Sequence, residues 1–431
     1  MSLAFRRIAL IAMVCLGCAG PWLQAQSSVG SGEKLKFVVY LTRHGVRSPT
    51  GEASRYDPYS ALPWPRWDVP PGYLTPHGYK LMTLYGAYDR AWFAQAGLLA
   101  PSGCAEAAHV TILTDSDQRT RETGKALAEG MFPGCATEVQ ARPQGTRDPL
   151  FHSMGAATGI GNPGLETAAI GGRIGGDPNN LTAAYHSQLT ELERVLSGCG
   201  HAPLNAQKRT SLFDIPATLA PDTENHPVEM RGPLNTASSL TENLLLEYTE
   251  GMPAADVGWG CVDDSTLRVL MELHSAAADI TERTPAVART LAGTLLTHIL
   301  WAMEQQMTDR AVLGAPGKPG DRLLILVGHD TNIAAVSGAL DLDWILDGRR
   351  DDTPPGGALI FELWQSQSGA YSVRVEYAAQ TLEQMRNATV LTLSTPPDRV
   401  PVFVPGCMNP NLSCAWRTFR TILDRTTEAG Q

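Results

Sequence analysis

Arginine and histidine are interleaved in the stretch Arg43–Pro49, which reads Arg-His-Gly-Val-Arg-Ser-Pro. The guanidiniums of Arg43 and Arg47 offer planar, bidentate donors of the kind that bind phosphate oxygens. Their positive charge also disfavours the imidazolium form of His44, so a ring nitrogen keeps its lone pair at acidic pH. Since histidine can act as a covalent nucleophile, the stretch predicts attack by His44 on a phosphoryl group. The alternative is a surface loop in which the two arginines form salt bridges.

Two further stretches carry groups that suit the same chemistry. His329 and Asp330 follow the apolar run Arg322–Val327. Asp330 is predicted to protonate a leaving alkoxide, and His329 to donate to phosphoryl oxygens. Arg119 follows the apolar run His109–Thr114 at a predicted helix start, where backbone N–H groups also favour anions. For Arg119 the alternative is a salt bridge to Asp115 or Asp117, and for His329 and Asp330 it is a buried histidine beside a helix cap.

All three stretches come directly after short apolar runs that predict buried strands. The first run is Phe37–Leu41, and the other two are His109–Thr114 and Arg322–Val327. A continuous apolar run is typical of the middle of a parallel sheet. Because ligands bind at the carboxyl ends of such strands, we expect these charged groups to converge.

Helical patterns fill much of the remaining chain. Thr75 and Pro76 are typical of a helix start, and apolar residues at helical spacing follow them. A mainly helical block interrupts the alternation of strands and helices, which predicts an inserted α domain. The predicted organisation is residues 26–151 for the first part of an α/β domain, 152–285 for the α domain and 286–431 for the second part of the α/β domain. Further helices are predicted over Thr182–Leu196, Leu234–Glu250, Asp264–Ile280 and Thr284–Gln306.

The first 25 residues are predicted to be a secretory signal peptide. Arg6 and Arg7 precede an apolar stretch, Ile8–Gly17, that is too short to span a bilayer. Removing the peptide changes the formal net charge of the chain from −10 to −12, which argues against a nucleic-acid partner. We therefore expect a periplasmic or secreted protein that binds no membrane and needs no obligate protein partner.

Six of the eight cysteines lie outside the predicted signal peptide. An even number in an exported chain predicts disulfides, with fifteen possible connectivities. Cys407 and Cys414 flank a short turn, and Cys104 and Cys135 bracket one strand and helix unit, so each pair is expected to close. Cys199 and Cys261 then remain by elimination. The mature chain has no Cys-X-X-Cys pair, so a cysteine-bound zinc is not expected.

The motifs together resemble the histidine acid phosphatases, in a form similar to bacterial periplasmic phytases and glucose-1-phosphatases. The resemblance runs from about Phe37 to Leu423, and it rests on specific stretches of this sequence. These are Arg43–Pro49, Asp117–Arg121, Asp148–Phe151, Val327–Asn332, Thr353–Gly357 and the Cys407 loop.

The resemblance implies a phosphoglycerate-mutase-like, three-layer α/β domain with a smaller inserted α domain and a phosphomonoester in the cleft between them. His44 would take the phosphoryl group as a phosphohistidine and Asp330 would protonate the leaving group. No cofactor or metal is implied, because guanidiniums carry the charge stabilisation. The groups implied to hold the phosphoryl oxygens are Arg43, Arg47, Arg119 and His329, and those implied near the substrate pocket are Thr50, Glu242, Arg283 and Thr331.

The implied substrate is phytate (myo-inositol hexakisphosphate). Thr331 favours phytate, since the sugar phosphatases resembled tend to carry serine there. Gly51 departs from the pattern, because a lysine that contacts distant phosphates is expected at this position. The alternatives are glucose-1-phosphatase or broad-specificity acid phosphatase activity, a phosphotransferase such as a mutase, and a non-catalytic phosphate-ligand binder.

Overall fold

The computed structural model describes residues 32–153, 161–200, 209–222 and 226–428. The predicted signal peptide lies outside this part of the chain. The described strands are β1 (Lys34–Arg43), β2 (Val110–Thr114), β3 (Gln140–Ala141), β4 (Thr218–Pro221), β5 (Val228–Arg231), β6 (Leu323–Gly328), β7 (Ile345–Leu346), β8 (Arg349–Arg350), β9 (Ala358–Gln365), β10 (Tyr371–Ala379), β11 (Asp398–Pro401) and β12 (Cys414–Ala415).

The helices alternate with the strands at both ends of the chain and dominate its middle. They are α1 (Ala53–Tyr56), α2 (Pro76–Gln95), α3 (Gln118–Met131), α4 (Pro163–Arg173), α5 (Asn179–Ala184), α6 (His186–Leu196), α7 (Pro233–Thr249), α8 (Asp264–Thr281), α9 (Pro285–Thr308), α10 (Asp330–Leu340), α11 (Leu382–Arg386) and α12 (Trp416–Glu428).

One large sheet has the strand order β11-β10-β9-β1-β6-β2-β3, and β12 pairs with β10. The strands β1, β6, β2 and β3 are parallel to one another, with Arg43 opposite Gly328 and Thr114 opposite Val327. The three predicted strands are therefore confirmed, and they lie side by side. The strands β9, β10 and β11 are antiparallel and were not predicted from the sequence.

Alternate residues of the central strands bury their side chains on opposite faces of the sheet. On one face Phe37, Val39 and Leu41 pack with apolar side chains of α9, α10 and α12. On the other face Val38 and Tyr40 pack with α2 and α3. Helices thus cover both faces, which gives the predicted three-layer α/β arrangement.

A third group of buried side chains lies mainly in the helices α4–α8 and in α11. The helix predicted over Thr182–Leu196 is wrong in one respect, because Tyr185 has non-helical backbone angles and separates α5 from α6. Neither glycine nor proline marks this break in the sequence. The hairpin of β4 and β5 also lies in this block. The boundaries 152 and 285 of an inserted domain stay a prediction.

By length and composition alone, α9 is apolar enough to cross a membrane, and it is the only such helix among the described residues. Its apolar side chains are instead buried against the sheet together with those of α10 and α12. It is therefore packed as a core helix.

The structure forms all three expected disulfides. They join Cys104 to Cys135, Cys199 to Cys261 and Cys407 to Cys414. The pair left by elimination is thus present, and it joins the segment after α6 to the segment before α8.

Candidate active site

The parallel strands β1, β6 and β2 end at the same edge of the sheet, and a titratable side chain follows each of them there. His44 follows β1, His329 follows β6 and Asp115 follows β2. The backbone ties them together, because the N–H of His44 donates to Gly328 O at 3.0 Å and that of Asp115 donates to Val327 O at 2.9 Å.

His44 is almost completely buried, with 2% of its surface exposed. Its Nδ1 lies 2.9 Å from Gly45 O. Because a carbonyl oxygen only accepts, Nδ1 must carry the proton and Nε2 the lone pair. Burial, followed by the charges of Arg119, Arg43 and Arg47, holds the pKa of His44 well below its usual value. A neutral imidazole with a free nitrogen is the form that can act as a nucleophile.

Arg43 is fully buried and makes contacts on several sides. Its Nη1 donates to Thr353 O at 2.6 Å, and its Nη2 lies 3.1 Å from Asp330 Oδ2 and in closer contact with Glu242. Burial would lower the pKa of Arg43, but the carboxylates of Asp330 and Glu242 outweigh it and raise that pKa. The segment Thr353–Gly357 therefore positions Arg43, and Gly356 adopts a positive φ of 75° there.

Arg47 lies beside Arg43 and shares one of its partners. The Nη2 of Arg47 lies 3.3 Å from Glu242 Oε1. Burial would raise the pKa of Glu242, but the charges of Arg43, His274 and Arg47 lower it. Glu242 thus stays ionised and holds the two guanidiniums together.

Asp330 is the first residue of α10, and 23% of its side chain is exposed. Its Oδ1 accepts the N–H of Thr331 at 2.8 Å. Burial would raise the pKa of this carboxyl, but the charges of Arg43, His274 and Arg47 hold it below its usual range. In the free site Asp330 is therefore a carboxylate.

His329 is buried against a carboxylate that the sequence analysis had not assigned to the site. Its Nε2 lies 2.7 Å from Asp115 Oδ2, and the ring centroids of His329 and His44 are 5.6 Å apart. The carboxylate requires a proton on Nε2, so Nδ1 accepts from Arg119 Nη2 at 3.5 Å. Burial and the charge of Arg119 lower the pKa of His329, whereas Asp115 opposes them.

Arg119 satisfies both interpretations made from the sequence. Its Nη2 forms the salt bridge to Asp117 Oδ2, at 2.6 Å, and the same guanidinium also reaches His329. Its Nη1 donates to Gly72 O at 3.4 Å. The structure thus brings Arg119 to the same site as His44.

Two of the remaining predicted pocket residues lie at the site, and one lies elsewhere. Thr331 is exposed beside Asp330, and Thr50 is exposed close to Gly72 and thus to Arg119. Arg283 is not brought to the site. Its guanidinium donates to Ser337 Oγ at 2.6 Å and to Leu342 O at 2.8 Å. These partners lie near the other end of α10, about 10 Å along the helix from Asp330.

The sequence analysis missed His274, Asp115 and His152. His274 Nε2 lies 3.8 Å from Glu242 Oε2, and His152 Nε2 lies 2.8 Å from Asp115 Oδ2. His274 lies within the predicted helix α8, and no motif in the sequence marks it as part of the site. Asp115 had been considered only as a salt-bridge partner of Arg119, although its place directly after a strand was a usable signal.

The arrangement offers a buried neutral imidazole, three guanidiniums and the partly exposed carboxyl group of Asp330. The guanidiniums can hold an anion and stabilise negative charge that develops on it. The imidazole can attack, and the carboxyl group can transfer a proton. These groups together have the properties that phosphoryl transfer requires.

Curated relatives align with nearly all of the chain. The phytase AppA of Escherichia coli (strain K12) is 36% identical over 415 residues, which cover 93% of this chain and 95% of the relative. A glucose-1-phosphatase of Salmonella typhimurium is 30% identical over 434 residues, covering 98% of this chain and 99% of the relative.

Solved structures match the fold at similar identity. The phytase of Citrobacter braakii gives a TM-score of 0.81 at 36% identity, covering 91% of this chain and 98% of the other. The Hafnia alvei phytase in complex with myo-inositol hexakis sulphate gives 0.83 at 34% identity, covering 93% and 99%. The model of the histidine phosphatase superfamily (branch 2) matches residues 34–166 and 179–378. The chain therefore belongs to branch 2 of the histidine phosphatase superfamily.

Proposed function

We propose that this phosphatase hydrolyses phytate, with His44 as nucleophile and Asp330 as proton donor. The observation that carries the proposal is the state of His44. Its Nδ1 proton is committed to Gly45 O, and its pKa lies well below the usual value. Nε2 therefore keeps its lone pair at the acidic pH at which phytate carries fewer negative charges.

In the first half-reaction His44 Nε2 attacks phosphorus and the bond to the leaving oxygen breaks. Arg43, Arg47 and Arg119 hold the phosphoryl oxygens. The negative charge of the bound phosphate raises the pKa of His329, which takes up a proton on Nδ1 and donates it to a phosphoryl oxygen while Asp115 accepts from Nε2. The leaving oxygen takes its proton from Asp330, and the products are a phosphohistidine and an alcohol.

Asp330 needs a proton although it is a carboxylate in the free site. In the free site Arg43 Nη2 lies 3.1 Å from Asp330 Oδ2, and a substrate phosphate would compete with this carboxylate for Arg43. Weakening that ion pair, and adding a second anion nearby, raises the pKa of Asp330 toward protonation. In the second half-reaction the ionised Asp330 accepts a proton from the water that attacks the phosphohistidine, and phosphate is released.

Support for phytate comes from the relatives rather than from any single residue of the pocket. Three aligned phytases are named above, one of them in complex with myo-inositol hexakis sulphate. The aligned glucose-1-phosphatase, together with Gly51 in place of a lysine, favours a sugar phosphate as the second candidate. We also propose export to the periplasm, since three disulfides suit an oxidising compartment.

The proposal is tested by phosphate release at about pH 4.5 in EDTA, with phytate and glucose 1-phosphate at equal concentration. We expect phytate to have the higher kcat/KM. The control is His44→Ala, which should lose at least about a thousandfold in kcat on both substrates while keeping its circular dichroism spectrum. Preference for glucose 1-phosphate would overturn the substrate assignment, and near-normal turnover by the variant would overturn the role of His44.

A further inference from the structure

We propose that Asp115, His152 and His329 form a binding site for one divalent transition-metal ion such as Zn²⁺. This site shares His329 with the phosphate-binding groups. It does not depend on the proposed substrate, because its test measures metal binding directly.

The proposal rests first on how the donor atoms converge. His152 Nε2 and His329 Nε2 lie 2.8 Å and 2.7 Å from the same oxygen, Asp115 Oδ2. Two imidazole nitrogens and one carboxylate, with water in the fourth position, are a common ligand set for Zn²⁺ and its neighbours in the first transition row.

The second observation is that only one of the two oxygens of the Asp115 carboxylate accepts hydrogen bonds. Asp115 is 1% exposed, and its Oδ1 has no hydrogen-bond partner among the described residues. Its Oδ2 meanwhile accepts from two histidines. A metal ion would replace these two shared hydrogen bonds by coordination, and Asp115 could then use both oxygens.

The required movement is small. Ligand atoms about 2.0 Å from a tetrahedral ion are about 3.3 Å apart, so the nitrogens must move from Asp115 by about half an ångström. The side chain of His152 is 39% exposed, which gives a metal ion access from solvent. It also leaves His152 room to adjust, whereas His329 is held at the start of α10.

Charge and position favour a dication here over the neighbouring donor group. Asp115 and Asp117 supply two negative charges, with Arg119 opposing them through its salt bridge to Asp117. A second possible group consists of Glu242, His274 and Asp330. Its carboxylates are already paired with Arg43, so a cation there would have to displace a buried guanidinium.

A metal ion on His329 Nε2 changes what this histidine offers to an anion. The metal removes the Nε2 proton, so the neutral ring carries its proton on Nδ1. Nδ1 and Arg119 Nη2, which are 3.5 Å apart, would then both be hydrogen-bond donors. An oxyanion between them would accept from both, so metal and oxyanion should each strengthen the binding of the other.

The test is calorimetric titration of the full-length mature protein with Zn²⁺ at pH 6.5 in a phosphate-free buffer of low metal affinity. We expect one site per chain with a Kd of about 1–10 μM, and a lower Kd when sulfate is present. His152→Asn should weaken binding at least about tenfold. His274→Asn, which changes the other donor group, should keep the wild-type Kd within about twofold.

A second readout is independent of heat signals and of activity. Co²⁺ bound by these three side chains and a water molecule should give the visible absorption of a tetrahedral ion. Zn²⁺ should raise the Tm of the wild type but not of His152→Asn. Absence of saturable binding at one ion per chain, unchanged affinity in His152→Asn, or loss of binding in His274→Asn would each overturn the proposal.

Discussion

The ion pairs that Glu242 and Asp115 form at the site join residues that lie far apart in the sequence. Glu242 joins two arginines of one motif to a helix about 200 residues later, and Asp115 joins His329 to His152. Such pairs keep charges buried without leaving them unpaired. They also explain why His44 can be neutral while Asp330 is ionised, although both are buried among the same arginines.

Replacing Asp330 by Asn removes the proposed proton donor and keeps the size of the side chain. We expect kcat/KM for phytate, which reports the first half-reaction alone, to fall by about 10²–10⁴-fold, the range that general acid catalysis contributes. The fall should be much smaller for 4-nitrophenyl phosphate, because its leaving group needs no proton. Steady-state kinetics on the two substrates measures the difference. Equal losses on the two substrates would show that Asp330 is not the general acid of the first half-reaction.

At the scale of elements, the helix pair α2 and α3 positions the loop that follows β1. The Gly45 N–H donates to Thr123 Oγ1 of α3 at 2.9 Å. Thr75 caps α2 by accepting the N–H of Gly78 at 2.9 Å, as predicted. The two helices pack closely at glycines, since a Cβ at Gly86 would lie 2.3 Å from Leu127 O and one at Gly130 would lie 2.0 Å from Thr83 O.

Gly86→Ala should therefore push α2 away from α3. We expect the free energy of unfolding to fall by about 1–3 kcal/mol. The matched control is Gly171→Ala in α4, where an added Cβ has no neighbour within 4 Å and the better helix propensity of alanine should stabilise by about 0.5–1 kcal/mol. Urea denaturation of both variants is the measurement. Equal stability of the two variants would refute the close-packing argument.

At the scale of the whole molecule, several buried acids favour folding at low pH. Burial raises the pKa of Glu247 to about 8 and that of Asp89 and of Glu362 to about 7. A raised pKa means that the folded state binds the proton more tightly than the unfolded chain. This contribution to stability is complete below about pH 4 and is lost as the pH rises toward 8. Asp115 and Asp330, with lowered pKa values, act in the opposite direction.

Glu247→Gln isolates one of these acids, because glutamine resembles the protonated side chain and can still accept the Gly258 N–H. Relative to wild type, the variant should gain about 1–4 kcal/mol of unfolding free energy between pH 5 and pH 8.5. Denaturation at the two pH values measures it. Glu138→Gln, at an exposed position, is the control and should show no such gain. A pH-independent difference for Glu247→Gln would contradict the prediction.

Local patterns in the sequence predict the reactive groups of the site, and they correctly predict the strands that precede them. Motif residues such as His44 and Arg43 are adjacent in the chain, and apolar runs of five or six residues before them report buried strands directly. The same holds for His329 and Asp330 after β6. Local spacing carries this information because each motif follows its own strand, and parallel strands must end at one edge.

Only the tertiary structure decided which distant groups complete the site. Pairing of Arg43 with Glu242 and of Asp115 with His152 depends on how helices and loops pack, which no local pattern reports. For the same reason Arg283, expected near the substrate, lies instead among Ser337 and Leu342. A buried guanidinium goes to whichever oxygens the packing brings within reach, because leaving it unpaired costs several kcal/mol.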